Sequence, residues 1–444
     1  MSLISPSPST KTELFRNIVV GLAVSFVALS LGAAFGILSG RGAFAGMVSA
    51  GIISVITSLL GGTRVQCSGP TAPMSVVAAT VIAVAYEQIA EKVPGLVPDH
   101  FINTVFLLAG MLMLVMAVLR LGRFITMVPN VVISGFMNGI ALLIWIGQTK
   151  KIFGLGNTEA FAGSLTHNLA IAAGTLIFVF AYPILVRKTI PRLERYMPPA
   201  TLAVLIIATT VVHLLALPVA TIDLQGSVNN LSDLIVAQWP KEWSGTILWL
   251  AFPFAFQLAL LCYLDTLLTS LVIDRMTGEK TRQDKELVAQ GIANSAVSLV
   301  GGIPGAQATI RSVLVVKEGG SHRMVGVFIG LFVLVEMFLF RDLIAIIPQA
   351  VFTGILFKVG YEVFDLDTLL AYFSRFVKCP STARSAIFVA HGEVLLIIGT
   401  TLVTIVWNLN AAVGIFTLVF FFINKVLQPQ NPIRDLKPLE QPTA

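Results

Sequence analysis

Two interrupted apolar segments carry the residues best suited to bind an anion. Ser68-Gly69-Pro70 precedes the short apolar stretch from Thr71 to Ala85, and Ile303-Pro304-Gly305 precedes the stretch from Ala306 to Val316. These residues predict two half-helices, whose first backbone N–H groups and helix dipoles attract anions. Kinked but continuous spanning helices are the alternative interpretation. Around the two helix starts lie small or hydrogen-bonding residues, namely Ser68, Thr71, Ala72, Ser75, Gln307, Ala308 and Thr309.

An arginine follows within the second apolar stretch. Arg311 lies in the apolar run from Ala308 to Leu314, where a charge needs the protein interior, water or a partner to be tolerated at membrane depth. A guanidinium group binds oxyanions well because it donates two parallel hydrogen bonds. Arg311 is therefore predicted to bind substrate. The alternatives are a structural ion pair and a side chain that reaches toward the inner membrane surface.

An aspartate lies inside the most apolar stretch of the second half of the chain. Asp265 and Thr269 are one helical turn apart, so the carboxylate and the hydroxyl share a helix face. A carboxylate would repel an anionic substrate, and its expected partner is a cation: Na⁺, a proton or the guanidinium group of Arg311. Oxygen ligands with one carboxylate suit a small hard cation. Asp265 and Thr269 are thus a predicted Na⁺ site, with a static ion pair between Asp265 and Arg311 as the alternative.

The composition is that of a membrane protein. Hydrophobic residues make up 56% and charged residues 12% of the 444 residues, whereas soluble domains carry about 25% charged residues. The net charge of +6 comes without a basic block, so no nucleic-acid partner is predicted. No enzyme motif, cofactor motif or cysteine-based metal site is found, since Cys67, Cys262 and Cys379 are far apart. The sequence predicts a protein that is not an enzyme and has the lipid bilayer as its solvent.

Twelve apolar stretches are long enough, or nearly so, to cross the hydrocarbon core as helices. With the two interrupted segments they predict an all-α polytopic membrane protein with 14 transmembrane segments. The twelve stretches are 16–36, 43–60, 102–121, 125–148, 168–187, 199–216, 247–273, 286–301, 324–340, 343–361, 386–407 and 410–428.

The interrupted segment is the third of the first seven segments and the third of the second seven. Matching interruptions predict a seven-plus-seven inverted repeat with a substrate site near the membrane midplane. The predicted divisions are a cytoplasmic N-terminal segment at 1–15, a transporter domain at 16–428 with repeats of about 16–216 and 247–428, and a short cytoplasmic tail at 429–444. Lys and Arg concentrate in alternate connections, which predicts that both termini are cytoplasmic. One such connection contains Arg187, Lys188, Arg192 and Arg195.

Several motifs, in this order along the chain, resemble the SulP family of anion transporters, especially its bicarbonate-transporting branch and related bacterial proteins. Single motifs would be weak, but together they form a specific match over nearly the whole chain. They are Ala33-Ala34-Phe35-Gly36-Ile37 with Ser39-Gly40, Gly61-Gly62-Thr63, Gly69-Pro70-Thr71-Ala72-Pro73-Met74, the stretch from Val132 to Gly139, the stretch from Leu264 to Ser270, Lys285-Glu286-Leu287 with Gln290-Gly291, and Gly301-Gly302-Ile303-Pro304-Gly305.

The resemblance implies a UraA-like fold, in which a core part moves against a gate part like an elevator. It implies that Thr71, Gln307, Ala308 and Thr309 bind substrate. It also implies that Asp265 and Thr269, with the backbone around Gln307 to Thr309, hold a coupling Na⁺. The family's C-terminal STAS domain is not recognised in this sequence, so dimerisation through it is not implied, and a homodimer is left open.

Three positions depart from the bicarbonate branch. Gly69 stands where that branch commonly has an acidic residue, Ser30 replaces a usual proline, and Arg311 stands where it can have glycine. Arginine at this last position is similar to many other SulP members and favours sulfate or a dicarboxylate over bicarbonate.

The predicted function is secondary active transport of a small inorganic oxyanion, bicarbonate or sulfate, by Na⁺- or proton-coupled symport. The alternatives are an anion exchanger or uniporter, a C4-dicarboxylate transporter, and a sensor that keeps the fold without transport. The expected location is a bacterial plasma membrane.

Overall fold

The structure is a computed structural model, and it describes residues 11–89, 96–123, 128–155, 160–189, 200–221, 238–241, 243–340, 342, 345–373, 389, 391–407, 409–427, 433 and 435–436. Residues 1–10, most of the connection between the predicted repeats and most of the predicted tail lie outside these ranges.

The described part is almost entirely helical. In chain order the helices are α1 Lys11–Ser39, α2 Ala43–Leu60, α3 Ala72–Val84, α4 Pro98–Val118, α5 Asn130–Phe153, α6 Leu165–Thr189, α7 Ala200–Leu214, α8 Gly245–Thr277, α9 Gln283–Ser298, α10 Thr309–Lys317, α11 Met324–Leu339, α12 Gln349–Val363, α13 Leu366–Phe373, α14 His391–Val406 and α15 Leu409–Phe422. Single π-helical turns follow α3 at Ala85–Ile89 and α15 at Ile423–Leu427. Two short strands, β1 Ser68–Gly69 and β2 Ala306–Gln307, precede α3 and α10.

Seven helical stretches in the described residues are long and apolar enough to cross a membrane. They are Glu13–Ser39, Ala43–Leu60, Ala72–Ile89, Pro98–Val118, Asn130–Phe153, Leu165–Val186 and Gly245–Asp274, and four shorter apolar helices occur at Ala200–Leu214, Met324–Leu339, His391–Val406 and Ala411–Leu427. A helical membrane protein is thereby confirmed, while the count of fourteen segments stays a prediction. Two differences are clear: α1 begins at Lys11, inside the predicted N-terminal segment, and α13 was not predicted.

Local sequence explains how α8, the helix that carries Asp265, begins and ends. Ser244 precedes its first residue, and the Ser244 hydroxyl accepts a hydrogen bond from the backbone N–H of Ile247 at 3.2 Å, as an N-cap serine does. Gly278 follows its last residue with φ at 72°, a left-handed conformation that suits glycine. Between these ends the helix is long enough to place Asp265 well inside an apolar layer.

The chain divides into two compact units, Met1–Arg123 with Lys150–Ile355 and Phe124–Thr149 with Leu356–Ala444. In the first unit, α2 packs against α1, α9 and α11. Glycines allow the contact with α1 to be close, because a Cβ atom on Gly46 would overlap the backbone of Gly32 and Gly36. Such small-residue contacts are typical of helices that associate in membranes.

The second unit has its own apolar cluster, formed by Val131, Val389, Val394, Leu396, Ile397, Phe420 and Leu436. Asp435 lies beside the start of α5, where its carboxylate accepts hydrogen bonds from Val131 N at 3.2 Å and Asn130 Nδ2 at 2.9 Å. Burial raises the pKa of the Asp435 carboxyl group, and these hydrogen bonds oppose that rise. A described part of the predicted tail therefore packs against this unit.

Candidate anion and cation site

The two interrupted segments meet in the first unit. Strands β1 and β2 pair antiparallel, with Ser68 opposite Gln307 and Gly69 opposite Ala306, and all four residues are buried. The pairing extends by one more hydrogen bond, from Ala308 N to the Cys67 carbonyl oxygen at 3.1 Å. The strands therefore fix the start of α3 beside the start of α10.

Neither helix start has a side-chain cap. Thr71 precedes α3 and Ala308 precedes α10, and no side chain at these two positions accepts a hydrogen bond from the first turn. The first backbone N–H groups of a helix have no partner within the helix. Both helix starts thus keep donors that an anion could use, as the sequence predicted for half-helices.

Asp265 lies at these helix starts. Thr71 Oγ1 donates a hydrogen bond of 2.7 Å to Asp265 Oδ2, so the first half-helix is tied to α8. One turn further along α8, the hydroxyl groups of Thr269 and Thr309 are 2.5 Å apart. Gln307 N donates to Thr266 Oγ1 at 3.2 Å. The residues predicted to hold a cation are therefore grouped along one stretch of α8.

Arg311 lies beside the residues that lead into α3. It is 1% exposed, and its Nη2 donates a hydrogen bond of 2.7 Å to the carbonyl oxygen of Pro70. Gly69 makes room for the guanidinium group, since a Cβ atom there would lie 3.0 Å from Arg311 Nη1. Asp265 and Arg311 form no ion pair within the described residues, so the static pair considered from the sequence is not observed.

Three buried donors near the helix starts have no hydrogen-bond partner: Gln307 Nε2, Arg311 Nη1 and Ser75 Oγ. Unpaired buried donors are uncommon in proteins and call for an explanation. Ser68 differs from them, because its hydroxyl already contacts Gln66 Oε1 at 3.1 Å and Gln290 Nε2 at 3.0 Å. Ala72 is buried in the first turn of α3, where it adds no polar side-chain atom.

Sequence reasoning missed the most highly hydrogen-bonded carboxylate next to the site. Glu286, at the start of α9, is 0% exposed. It accepts hydrogen bonds from Gly62 N at 2.8 Å, Thr63 N at 2.9 Å, and Gln66 Nε2 and Gln290 Nε2 at 3.2 Å each. A Gly61-Gly62-Thr63 turn and an acidic residue opening a polar helix were the available signals, but nothing in the sequence indicated that they meet.

The match to a family model decides what kind of protein this is. Residues 14–379 match the model of the sulfate permease family. The chain belongs to this family. It is therefore an anion transporter of the SulP type and not an enzyme, as the sequence predicted.

Relatives of this family member span its length. The bicarbonate transporter BicA of Picosynechococcus is 32% identical over 91% of this chain and 70% of its own. The putative sulfate transporter YvdB of Bacillus subtilis is 28% identical over 93% of this chain and 74% of its own. In structure, the transmembrane domain of a cyanobacterial BicA matches with a TM-score of 0.73 at 29% identity, covering 91% of this chain and 99% of that domain.

The donors at this site suit Na⁺ better than a transition metal. The described residues contain no group of three or more His, Cys, Asp and Glu side chains that could hold a metal ion. The Asp265 carboxylate and the hydroxyl groups of Thr71, Thr269 and Thr309 are oxygen donors, which small hard cations prefer. A Na⁺ ion would thus find suitable ligands here.

Proposed function

We propose that the protein is a secondary active symporter that couples the movement of a small inorganic oxyanion, bicarbonate or sulfate, to a gradient of Na⁺ or protons. The observation that carries the proposal is the β1–β2 pairing, which holds two uncapped helix starts next to Asp265. Donors for an anion and oxygen ligands for a cation are thereby adjacent in one unit of the protein.

The anion would bind to the helix starts. Backbone N–H groups at Ala72 and Thr309 and the two helix dipoles favour negative charge there. The unpaired donors of Gln307, Ser75 and Arg311 support this assignment, because an oxyanion has enough acceptor oxygens to serve several donors at once. Ala72 and Ala308 keep the approach to the backbone open.

The cation would bind at Asp265. A half-buried carboxylate with one hydrogen-bond donor, Thr71, has lone pairs left for a cation. Thr269 and Thr309 add hydroxyl oxygens one turn away. Without the cation, the carboxylate would repel the anion at short range, so each ion favours the binding of the other. That mutual dependence is the basis of symport.

Two relatives support different anions, since one is named a bicarbonate transporter and another a putative sulfate transporter. The positive charge of Arg311 beside Gly69 favours an anion with two charges, sulfate or a C4-dicarboxylate, over bicarbonate. We propose sulfate as the first anion to test for this reason.

The proposal includes the membrane arrangement. Fourteen segments in a seven-plus-seven inverted repeat, an elevator-like movement of the paired half-helices, cytoplasmic termini and a bacterial plasma membrane are consistent with the helix order and the loop charges.

Uptake into proteoliposomes tests the proposal. The purified protein is reconstituted, and uptake of labelled sulfate, bicarbonate and succinate is measured with and without an inward Na⁺ gradient or proton gradient. We expect saturable uptake of one oxyanion that a gradient accelerates. Uptake that does not depend on either gradient but increases with the anion concentration inside the vesicles would identify an exchanger and contradict symport.

A further inference from the structure

The first unit contains another buried carboxyl group, which is remote in sequence from the site around Asp265. Glu336 lies in the last turn of α11 and is 4% exposed. Its Oε1 lies 2.5 Å from Ser25 Oγ on α1, and its Oε2 is buried without a hydrogen-bond partner. The proposed transport cycle makes no use of this group.

The hydrogen bonds of Ser25 indicate which form of the carboxyl group fits. Ser25 Oγ also lies 2.7 Å from the carbonyl oxygen of Leu22. A serine hydroxyl has one proton, and a carbonyl oxygen can only accept. When the hydroxyl donates to Leu22, the contact with Glu336 requires a proton on the carboxyl group.

Among the residues that the structure describes, the surroundings of Glu336 offer no charge to stabilise a carboxylate. Helix α11 packs against α1 and α2, and α2 contains no titratable residue from Ala43 to Leu60. The charged residues of α1 are Lys11, Glu13 and Arg16, which precede Ser25 by at least nine residues, or about 13 Å along a helix. No ion pair involves Glu336 among the described residues.

An ionised Glu336 would therefore be a buried charge with one contact. An ionised carboxylate can accept about four hydrogen bonds, and burying one without partners is strongly unfavourable. The neutral acid avoids this cost and supplies the donor that Ser25 can accept. If the Ser25 proton goes to Leu22, both the geometry and the described surroundings favour the protonated form.

We propose that Glu336 is a proton-binding site, whose un-ionised carboxyl group donates its proton to Ser25 Oγ and so ties α11 to α1. At alkaline pH the proton leaves to water, the donor is lost, and a buried carboxylate remains. The contact between the two helices then weakens. This site does not depend on the cation proposed at Asp265.

Thermal unfolding of the purified protein from acidic to alkaline pH is the first test. Glu336→Gln keeps the shape, is neutral at every pH and can donate its amide N–H to Ser25. Glu87→Gln, at an exposed position, is the matched control. We expect wild type and Glu87→Gln to lose stability together as pH rises above about 4.3, the usual pKa of a glutamate in an unfolded chain, while Glu336→Gln loses less and equals wild type at the acidic end. Parallel loss in all three proteins would overturn the proposal.

Infrared spectroscopy provides a second test on protein that is folded in every case. The carbonyl stretch of an un-ionised carboxylic acid should be present in the difference spectrum of wild type minus Glu336→Gln at mildly acidic pH, shift in Ser25→Ala, and disappear at alkaline pH. A wild-type spectrum without that band, or a band that Ser25→Ala leaves unchanged, would show that Glu336 is ionised or does not donate to Ser25.

Discussion

Two carboxyl groups near the half-helices are partnered very differently. Glu286 is fully buried and accepts four hydrogen bonds from the loop after α2 and from its own helix. Asp265 is half-buried and accepts one, from Thr71. A carboxylate with four donors needs no further partner, whereas one with a single donor can still bind a cation.

This contrast separates two roles that the sequence alone does not distinguish. Glu286 connects α9 to the turn at Gly62 and Thr63, and that turn leads into β1. Glu286 therefore positions the first half-helix. Asp265 faces the meeting point of both half-helices, where it has free oxygen lone pairs. A charge inside a membrane protein can thus be structural or functional according to its partners.

Removing the structural carboxylate should have the largest effect on stability. Glu286→Ala leaves the N–H groups of Gly62 and Thr63 and two amide groups without their acceptor. We expect the free energy of unfolding to fall by about 3 kcal/mol or more. The variant should unfold at a lower temperature or fail to express as folded protein. The control is Glu279→Ala, which removes the 2.6 Å ion pair with Arg64 and should cost about 1 kcal/mol or less because that pair is partly exposed. Equal effects of the two variants would contradict the contrast.

Asp265→Asn should instead spare the fold and remove coupling. The substitution keeps the shape and an acceptor for Thr71 but not the negative charge that holds the cation. Cation-dependent accumulation should disappear, while downhill anion exchange can persist. Thermal stability and Na⁺-dependent uptake are measured on the same preparation. A stable Asp265→Asn protein with full cation-driven accumulation would show that the coupling site lies elsewhere.

Arg311→Ala should weaken anion binding. We expect this effect on transport to be smaller than the loss of coupling in Asp265→Asn. Charge-assisted hydrogen bonds contribute about 1.5 to 3 kcal/mol, or roughly 10-fold to 150-fold in affinity. Binding calorimetry on the folded variant measures this change. Arg323→Ala, which alters a half-buried side chain whose Nη1 donates an exposed hydrogen bond to the Leu59 carbonyl oxygen, is the control. Unchanged affinity together with lower stability would assign Arg311 to support of Pro70 alone.

Thr71→Val should have the smallest effect on transport. It tests the contrast between Glu286 and Asp265 directly, because Thr71 is the one hydrogen-bond donor to Asp265 among the described residues. It removes the hydroxyl that donates to Asp265 and keeps a side chain of similar shape. We expect the apparent affinity for the cation to change by about 0.5 to 1.5 kcal/mol, or roughly 2-fold to 13-fold. The dependence of uptake on Na⁺ concentration gives this number. A complete loss of transport would mean that Thr71 has a larger part in substrate binding.

The sequence predicted where the two interrupted helices begin, because proline and glycine leave a clear local signal. Pro70 stands just before Thr71 and α3, and Pro304 stands shortly before β2. Helix α10 is too short to be an ordinary spanning helix, whereas α3 with the π-helical turn after it is long enough to cross a membrane, which its sequence prediction as a short half-helix did not foresee. The pairing of β1 with β2 is a contact between residues more than 200 positions apart, so no local pattern could specify its register.

The sequence predicted which residues belong to the site and on which elements they lie, but not which groups they hydrogen-bond to. Asp265 and Thr269 were placed on one helix face by the helical period alone, and that placement agrees with the structure. The partners of Arg311 and Ser68 depend on which backbone carbonyl or amide lies nearby in space, which helical periodicity does not encode. Glu286 was not selected because an acidic first turn is common in helices of every function.

The antiparallel strand pair also limits how the chain can vary in length. Successive strand residues point to opposite sides, so a slip of one residue would exchange the positions of Ser68 and Gly69. A side chain would then fill the space of the Arg311 guanidinium group, and the carbonyl of Pro70 would move out of its reach. Insertions and deletions between the end of α2 and Thr71 should therefore disrupt the site. The connections distant from the β1–β2 pair can change length freely.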